Sequence, residues 1–412
     1  MNSLENSIIF GDFIKQTYQV FQNPLFCAIG FADRSTFENY GSSKSIEFEN
    51  TFDAMEKILR IQKSTSIYLL ASLSYELGEK FEQIESQIPA SDFPLYCLYA
   101  FKEVSIAGQQ EVENSLSNCG IKPPEIDLTE LSKFSNFRED SYKNSINKIK
   151  TLIEDGEAYQ VNLSQKFTLP FNHSPLEYFF TLQKIHPSTY SCYFPVLSKT
   201  NNFGTIISHS PELFLEKTGG EITTKPIKGT RRRGLSEAED SHLMMDLQSS
   251  SKDQAELAMI VDIERNDLGK ICDIGSVRVT SHANIIQRSN VFHLESKITG
   301  KLPNHVDLIE ILKAVFPCGS ITGAPKIAAQ KIISNFENTT RDIYTGSIGV
   351  IYPDSNFTLN VAIRSCIVRD KKIKFNSGGG IVHESVPEEE WMETLYKAKG
   401  LFEAWYLVNE AG

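Results

Sequence analysis

Residues 346–376 read GSIGVIYPDSNFTLNVAIRSCIVRDKKIKFN. Three apolar runs, Gly346 to Tyr352, Phe357 to Val368 and Lys372 to Asn376, are joined by the short turns PDSN and RDKK. Runs rich in Val, Ile and Phe between turn residues predict strands, and such short turns make neighbours antiparallel. The stretch therefore reads as an antiparallel meander. Upstream, Val161 to Phe167 and Ile206 to Leu215 read as further strands. Ser141 to Asp155, Asp253 to Asn266 and Asp307 to Phe316 carry helical apolar patterning. Another helix starts near Thr322, with Pro325 in its first turn where a missing N–H costs nothing. A last one runs from about Pro387 to Tyr406. Hairpin-joined strands with helices segregated between them predict α+β, not a parallel βαβ sheet.

Composition bounds the function. The 412 residues are 41% hydrophobic and 23% charged, which excludes a disordered chain. A net charge of −11 argues against non-specific nucleic-acid or anionic-membrane binding. Any anionic substrate must then be met by local cations, N–H donors or a metal. The seven cysteines (Cys27, Cys97, Cys119, Cys192, Cys272, Cys318, Cys366) are scattered, with no CxxC, so a reducing compartment is expected. The N-terminus lacks a signal-peptide pattern, and the most apolar stretch, Ser66 to Leu73, is far short of the ~20 residues that span a bilayer. A cytoplasmic protein is expected. The polar stretch 118–140, with Pro123-Pro124, separates a region 1–130 from a better-patterned region 131–412.

Several segments carry candidate chemistry. Lys228, in Lys225-Pro-Ile-Lys-Gly-Thr-Arg-Arg-Arg-Gly234, belongs either to a basic surface turn or to a lysine held as nucleophile or anion ligand. As a nucleophile it must lose its proton, by burial or by nearby positive charge that Arg231, Arg232 and Arg233 could supply. Glu256, within AELAMIV, is either salt-bridged or a metal ligand. Glu390 and Glu393 share one face of the final helix, which is either a solvated face or a partner for Glu256 around an oxygen-ligated Mg²⁺. Gly378, Gly379 and Gly380 follow a strand, as a flexible turn or as N–H donors to a ligand oxygen. In GSITGAPK, Thr322 could cap the following helix. Arg364 is a surface residue or a carboxylate clamp, and His293 a satisfied core histidine or a proton-transfer group.

These segments occur in one order. SPELF, PIKGTRRRG, SKDQAELAMIVDIERNDLG, VFHLES, GSITGAPK, YTGSIG, AIRS, SGGGIV and EEEWMETLYKAK together resemble the chorismate-utilising enzymes. That family includes the large subunits of anthranilate synthase and aminodeoxychorismate synthase, and the isochorismate and salicylate synthases. The resemblance covers roughly residue 140 to the C-terminus, and in the N-terminal third only Leu73-Ser-Tyr-Glu-Leu-Gly-Glu-Lys-Phe-Glu82 joins it. It implies a large two-sheet antiparallel sandwich with helices outside, to which residues 1–130 contribute strands. It also implies Mg²⁺ on Glu256 and Glu393 with Glu390 nearby, and Glu212 as the acid near the departing C4 hydroxyl. His293 is implied as an active-site histidine. Arg364, Tyr344 and the N–H groups of Gly378, Gly379 and Gly380 are implied as substrate contacts, with Thr322, Lys326 and Thr230 lining the site.

Two positions choose within the family. Gln160, in Tyr-Gln-Val-Asn-Leu163, stands where the water-using members resemble one another in having a lysine base, so ammonia is favoured over water. Lys228 stands where the anthranilate enzymes typically have alanine and the aminodeoxychorismate enzymes lysine. The resemblance thus implies covalent addition of Lys228 at C2 of chorismate, loss of the C4 hydroxyl, and 4-amino-4-deoxychorismate for para-aminobenzoate and folate synthesis. Anthranilate formation is the alternative; a non-catalytic chorismate- or partner-binding subunit is the alternative of another class. No amidotransferase motif is visible, so ammonia is expected from a glutamine amidotransferase partner. Cys318 and Ser365 depart from the family pattern and are expected to touch no catalytic group. The LLES-type signature is also missing, so no tryptophan feedback is expected.

Overall fold

The expected meander passes from one sheet into another. The computed structural model describes residues 4–12, 17–43, 45–108, 126–234, 236–288 and 291–410. In it, Ser347–Ile351 pairs antiparallel with Phe357–Asn360 in one sheet, and Ser365–Arg369 with Lys372–Ile381 in a second. The single strand expected from Phe357 to Val368 is thus two. Asn360 ends the first: its Oδ1 accepts from Ile348 N at 2.9 Å and its carbonyl from Ser347 Oγ at 2.6 Å. Arg364 then takes a left-handed φ of 50°, turning the chain into the second sheet. The run Ile206 to Leu215 splits likewise, into Asn202–Ser210 and Leu213–Thr218, at Pro211, which has no N–H for a ladder. Both runs are buried along nearly their whole length and keep mixing polar with apolar residues past the break, so the pattern could not mark where either ladder stops.

Among the described residues one sheet has nine strands and the other twelve, every pairing antiparallel. The nine-stranded sheet runs from Gly323–Ala324 through Gln160–Pro170, Lys372–Ile381, Ser365–Arg369, Asn202–Ser210 and Tyr190–Leu197 to Ile8–Asp12, Thr17–Phe21 and Ser105–Gly108. The twelve-stranded sheet begins at Ile227–Arg232 and Val291–Lys301, passes through Leu213–Thr218, Phe357–Asn360 and Ser347–Ile351, and ends at Ser45–Phe48. Side chains from both sheets, including Phe21, Leu70, Phe194, Ile206 and Ile348, form one apolar cluster. Helices cover the outer faces. Glu139–Glu154, Pro175–Ile185 and Pro387–Glu410 pack Tyr142, Phe179, Trp391 and Leu395 against Phe167 and Phe375. Asp53–Thr65, Ser251–Gly269 and Leu308–Val315 cover the other sheet. Each such fully buried large side chain contributes roughly 1.5–3 kcal/mol. The expected α+β two-sheet sandwich is therefore the fold observed.

Three local expectations change. The triglycine is no turn: Lys372–Ile381 runs straight through it, with Gly378, Gly379 and Gly380 opposite Ser164, Leu163 and Asn162. Lys228 lies in the strand Ile227–Arg232, not in a surface turn. Thr322 does not cap, because Gly323–Ala324 pairs with Gln160–Val161 and delays the helix to Lys326–Phe336; Thr322 Oγ1 donates instead to the Cys318 carbonyl at 2.7 Å. Residues 118–125 of the expected boundary, with Cys119, Pro123 and Pro124, lie outside the described residues. The other six cysteines are free and buried. Among the described residues no helix is long and apolar enough to cross a membrane.

Candidate active site

The site forms where the chain changes sheets. Pro211-Glu212 crosses in one direction and Val361–Arg364 in the other, and Val361 N donates to the Glu212 carbonyl at 3.1 Å. The crossings place Glu212 and Arg364 beside the edge strand that carries Lys228. That strand slips register against Val291–Lys301 between Lys228 and Thr230. The slip is at Gly229, with φ of 67°, where a Cβ would meet Asp253 Cγ at 2.9 Å.

Lys228 Nζ donates to the Ser320 carbonyl at 3.2 Å and is half-buried. Its charge bears on three carboxylates, those of Glu212, Glu256 and Glu393. The neighbouring arginines do not supply it with positive charge. Arg231 pairs with Asp246 and Asp253, Arg232 with Glu239, and Arg233 with Asp240. The run RRR thus clamps two helices, Glu237–Ser249 and the start of Ser251–Gly269.

Glu212 is 4% exposed, and its Oε1 accepts from Ser320 Oγ at 2.7 Å. Burial pushes its carboxyl above the usual range, against the pull of Ser320 and Lys228. A carboxyl held protonated beyond its ordinary range is suited to act as a general acid. His293 is 2% exposed; its Nδ1 lies 3.0 Å from Thr230 Oγ1 and 3.4 Å from the Gly229 carbonyl. Its Nε2 has no protein partner. Burial, then the Arg364 charge, pull its pKa down to about 4, so the ring is neutral at neutral pH. Arg364 is exposed at the sheet crossing, yet the protein packed around it lowers its pKa. No carboxylate pairs with its guanidinium among the described residues.

The triglycine brings the final helix close. A Cβ on Gly379 would lie 2.9 Å from Glu390 Oε2 and 3.6 Å from Glu393 Oε1. Burial raises Glu390, and the Glu393 charge raises it further while Ser385 Oγ, donating at 2.6 Å, opposes. Burial and then, among smaller effects, Glu393 also act upward on Glu256. Burial would raise Glu393 too, but Lys397, donating at 2.6 Å, brings it below its usual value. Among the described residues, no group of three or more His, Cys, Asp or Glu side chains is arranged to hold a metal ion. The donor chemistry nevertheless fits Mg²⁺, which needs only one or two carboxylates plus waters. Carboxylates that push each other's proton affinity up are relieved by a cation.

Gln160 is 1% exposed, and neither of its amide atoms has a partner among the described residues. It lies over Gly380, where a Cβ would meet its Nε2 at 2.5 Å. Asn162 Oδ1, two residues along the same strand face, is equally unpartnered. Thr322 is fully buried on the Cys318 carbonyl, and Tyr344 is buried with its ring 5.7 Å from the Arg341 guanidinium. Lys326 is spent elsewhere: its amine binds Asp267 Oδ2 at 2.6 Å and the carbonyls of Val315 and Pro317 at 2.8 and 3.2 Å. Cys318 touches none of the expected catalytic groups directly, but it reaches one through a neighbour. Its Sγ lies 3.2 Å from Ser320 Oγ, which binds Glu212. Sequence reasoning missed Ser320 and Glu264. Ser320 lay inside a motif already singled out, and Glu264 continues the buried stripe of Leu257, Ile260, Val261 and Leu268, the place where a carboxyl is least expected.

With this geometry in hand, comparison gives the family. Residues 14–403 match the chorismate binding enzyme family. The chain belongs to that family. Anthranilate synthase component 1 of Aquifex aeolicus is 40% identical over 279 residues, 67% of this chain and 55% of that protein. Aminodeoxychorismate synthase component 1 of Bacillus subtilis is 39% identical over 274 residues, 66% of this chain and 57% of that protein. The chain thus spans little more than half the length of these curated relatives. Seven of eight relatives compared are anthranilate synthase components and one is an aminodeoxychorismate synthase component. Anthranilate synthase component I of Streptococcus pneumoniae TIGR4 shares the fold, with a TM-score of 0.77 at 24% identity, over 94% of this chain and 92% of that one.

Proposed function

We propose that this chorismate-binding protein aminates chorismate with ammonia and that the product is 4-amino-4-deoxychorismate. The observation that carries the product assignment is Lys228, whose amine lies among Glu212, Glu256 and Glu393 rather than in bulk solvent. Arg364, a cation without a carboxylate partner, suits one substrate carboxylate, and Glu256, Glu393 and Glu390 would hold Mg²⁺ for the other. When bound, Mg²⁺ supplies Lewis-acid charge at that carboxylate and screens the acidic cluster. Lys228, as a neutral amine, bonds to C2 while both ring double bonds shift by one position and the C4–O bond breaks. The leaving oxygen takes a proton from Glu212 and departs as water. Glu212 fits this role better than His293, because burial keeps the Glu212 carboxyl protonated above its usual range while it holds His293 as a neutral imidazole, a far weaker acid. Ammonia then bonds to C4, both double bonds shift back, and the C2–N bond breaks to return the lysine. Gln160 presents an amide and no base near this point, which favours ammonia over water as nucleophile. A glutamine amidotransferase partner would supply that ammonia in the cell.

The second reading is anthranilate formation, and the relatives favour it: more of them carry that name. One assay separates the two. Chorismate, Mg²⁺ and ammonium salts are incubated with the protein, with and without an aminodeoxychorismate lyase. The proposal expects para-aminobenzoate only when the lyase is present. Fluorescent anthranilate without lyase establishes the second reading instead. Intact mass after quenching should show a chorismate-derived adduct that Lys228→Ala lacks; undiminished amination by Lys228→Ala would remove the covalent route.

A further inference from the structure

We propose that Glu264 stores the proton that reloads Glu212, through a buried chain of hydrogen bonds from Glu264 by Cys318 and Ser320. The proposal rests on the amination reading above, in which Glu212 gives up a proton as the C4–O bond breaks.

The chain is continuous. Cys318 Sγ donates to Glu264 Oε1 at 3.2 Å, lies 3.2 Å from Ser320 Oγ, and Ser320 Oγ donates to Glu212 Oε1 at 2.7 Å. Thr224 Oγ1 holds the other Glu264 oxygen at 2.6 Å. Glu264, Cys318, Ser320 and Glu212 are 4%, 4%, 2% and 4% exposed, so the chain is almost wholly shielded from solvent. An acid in the middle of an apolar helix stripe is costly unless it is neutral or paired, and no cation pairs with Glu264 among the described residues. Two carboxyls joined through one buried path do not ionise together cheaply.

The groups that bear on Glu264 come from each element around it. Asp267 on its own helix is paired with Lys326 and Lys270. Glu212 faces it from the sheet crossing, and the Cys318 thiol, pushed up by burial, from the loop before Lys326–Phe336. Lys228 and Glu295 act on Glu212 in turn. Burial first, with Glu212 and Asp267 adding to it, pushes Glu264 up to about 8. A proton is therefore available across the neutral range. When Glu212 protonates the leaving hydroxyl, Ser320 passes its hydroxyl proton to Glu212. The Cys318 thiol, rotated from Glu264 toward Ser320, gives its proton to the Ser320 oxygen, and protonated Glu264 then donates its own from Oε1 to the Cys318 sulfur. Glu264 is left as carboxylate, and the proton shed by the adding ammonia restores it. No bond other than O–H and S–H changes in the relay, and nothing is oxidised or reduced. Glu264 is thus a positioning residue that acts through Glu212.

The test is the alkaline limb of the kcat–pH profile for amination, measured at constant free ammonia. Glu264→Gln keeps a hydrogen-bonding amide but no acidic proton, and Cys318→Ala breaks the path. Both should lower kcat on the order of tenfold at pH 7.5 and move the alkaline limb to lower pH. Cys318→Ser, which restores a hydroxyl link, should recover the limb that Cys318→Ala loses. Thermal melts check that the three variants fold, and the milder Cys318→Ala carries the test should Glu264→Gln not. Wild-type limbs in both Glu264→Gln and Cys318→Ala overturn the relay and leave the amination reading standing. A wild-type protein that turns chorismate over to no aminated product overturns both.

Discussion

Arg341→Met should destabilise the protein severely while touching no reacting atom. Arg341 is buried, its side chain 1% exposed, and it fills all of its donors. Nε and Nη2 bind Glu337 at 2.9 and 2.7 Å, Nη2 also binds the Asn162 carbonyl at 2.6 Å, and Nη1 reaches Thr345 Oγ1 and the Ile321 carbonyl at 3.2 and 3.3 Å. Its face lies 4.6 Å from the Tyr75 ring centroid. Methionine matches the stem but leaves the Glu337 carboxylate, 3% exposed on its side chain, with only Ser164 N–H at 2.7 Å for company. Removing one partner of a buried pair costs about 3–5 kcal/mol. Against a total of about 5–15 kcal/mol that is a fifth or more of the stability. Equilibrium urea unfolding reads it as a lower midpoint at unchanged slope. The double variant Arg341→Met/Glu337→Gln removes the stranded charge, keeps an acceptor for Ser164, and should recover about half or more of the loss. Amination should fall as well, because Arg341 ties the Gln160–Pro170 strand to the loop that carries Ser320. A loss below about 1 kcal/mol, or a double variant no better than the single, would refute the reasoning.

Three further outcomes are expected. Gly379→Ala puts a Cβ 2.9 Å from Glu390 Oε2, so the Mg²⁺ concentration for half-maximal activity should rise at least several-fold while the melting temperature barely moves; an unchanged Mg²⁺ titration contradicts this. Arg364→Gln removes a cation with no carboxylate partner among the described residues, so stability should hold or rise while KM for chorismate increases by roughly 30–160-fold, as loss of a charged hydrogen bond of about 2–3 kcal/mol implies. A destabilised variant with normal KM would assign Arg364 to the fold. His209 is buried with neither ring nitrogen partnered, and burial, aided by His186 and Arg364, pulls it down to about 3. Its folded pKa lies below the unfolded one, so the unfolded chain binds the extra proton between about pH 6.5 and 3, and stability is lost as pH falls through that window. His209→Leu should flatten this acid slope in unfolding measurements, and an equally steep slope in the variant would show that other groups produce it.

The fold class was legible because hairpin turns such as PDSN and RDKK are local signals, and because the helix stripes of Glu139–Glu154 and Leu308–Val315 have the right period. The sheet changes were not legible. Phe357 to Val368 and Ile206 to Leu215 mix polar and apolar residues in the same way on both sides of the break, and what ends each ladder is distant in sequence: Ser347 and Ile348 for Asn360, and Val361 for Ser210, whose Oγ donates to its carbonyl. The candidate site residues were found as motifs in order, not as a geometry. Nothing local told that Lys326 binds Asp267, that three arginines pair with helix carboxylates, or that Gly379 backs onto Glu390.

The misread strands and the site have one physical origin. A residue at the middle of a strand is held by neighbours on both sides and has its side chain committed to a face. A residue where the chain leaves one sheet for another is released from one ladder before it joins the next, so its side chain can enter the gap between the sheet edges. Glu212 and Arg364 occupy two such positions, bridged by the bond from Val361 N to the Glu212 carbonyl. Their placement is therefore as rigid as the sheets themselves, which is what proton transfer and carboxylate binding need. Any substitution that repairs the broken alternation, such as Pro211→Val, gives the first run an N–H at the point where it must leave the ladder. It should shift Glu212 and cost amination more than it costs stability. A Pro211→Val protein with full kcat would show that the crossing is set elsewhere.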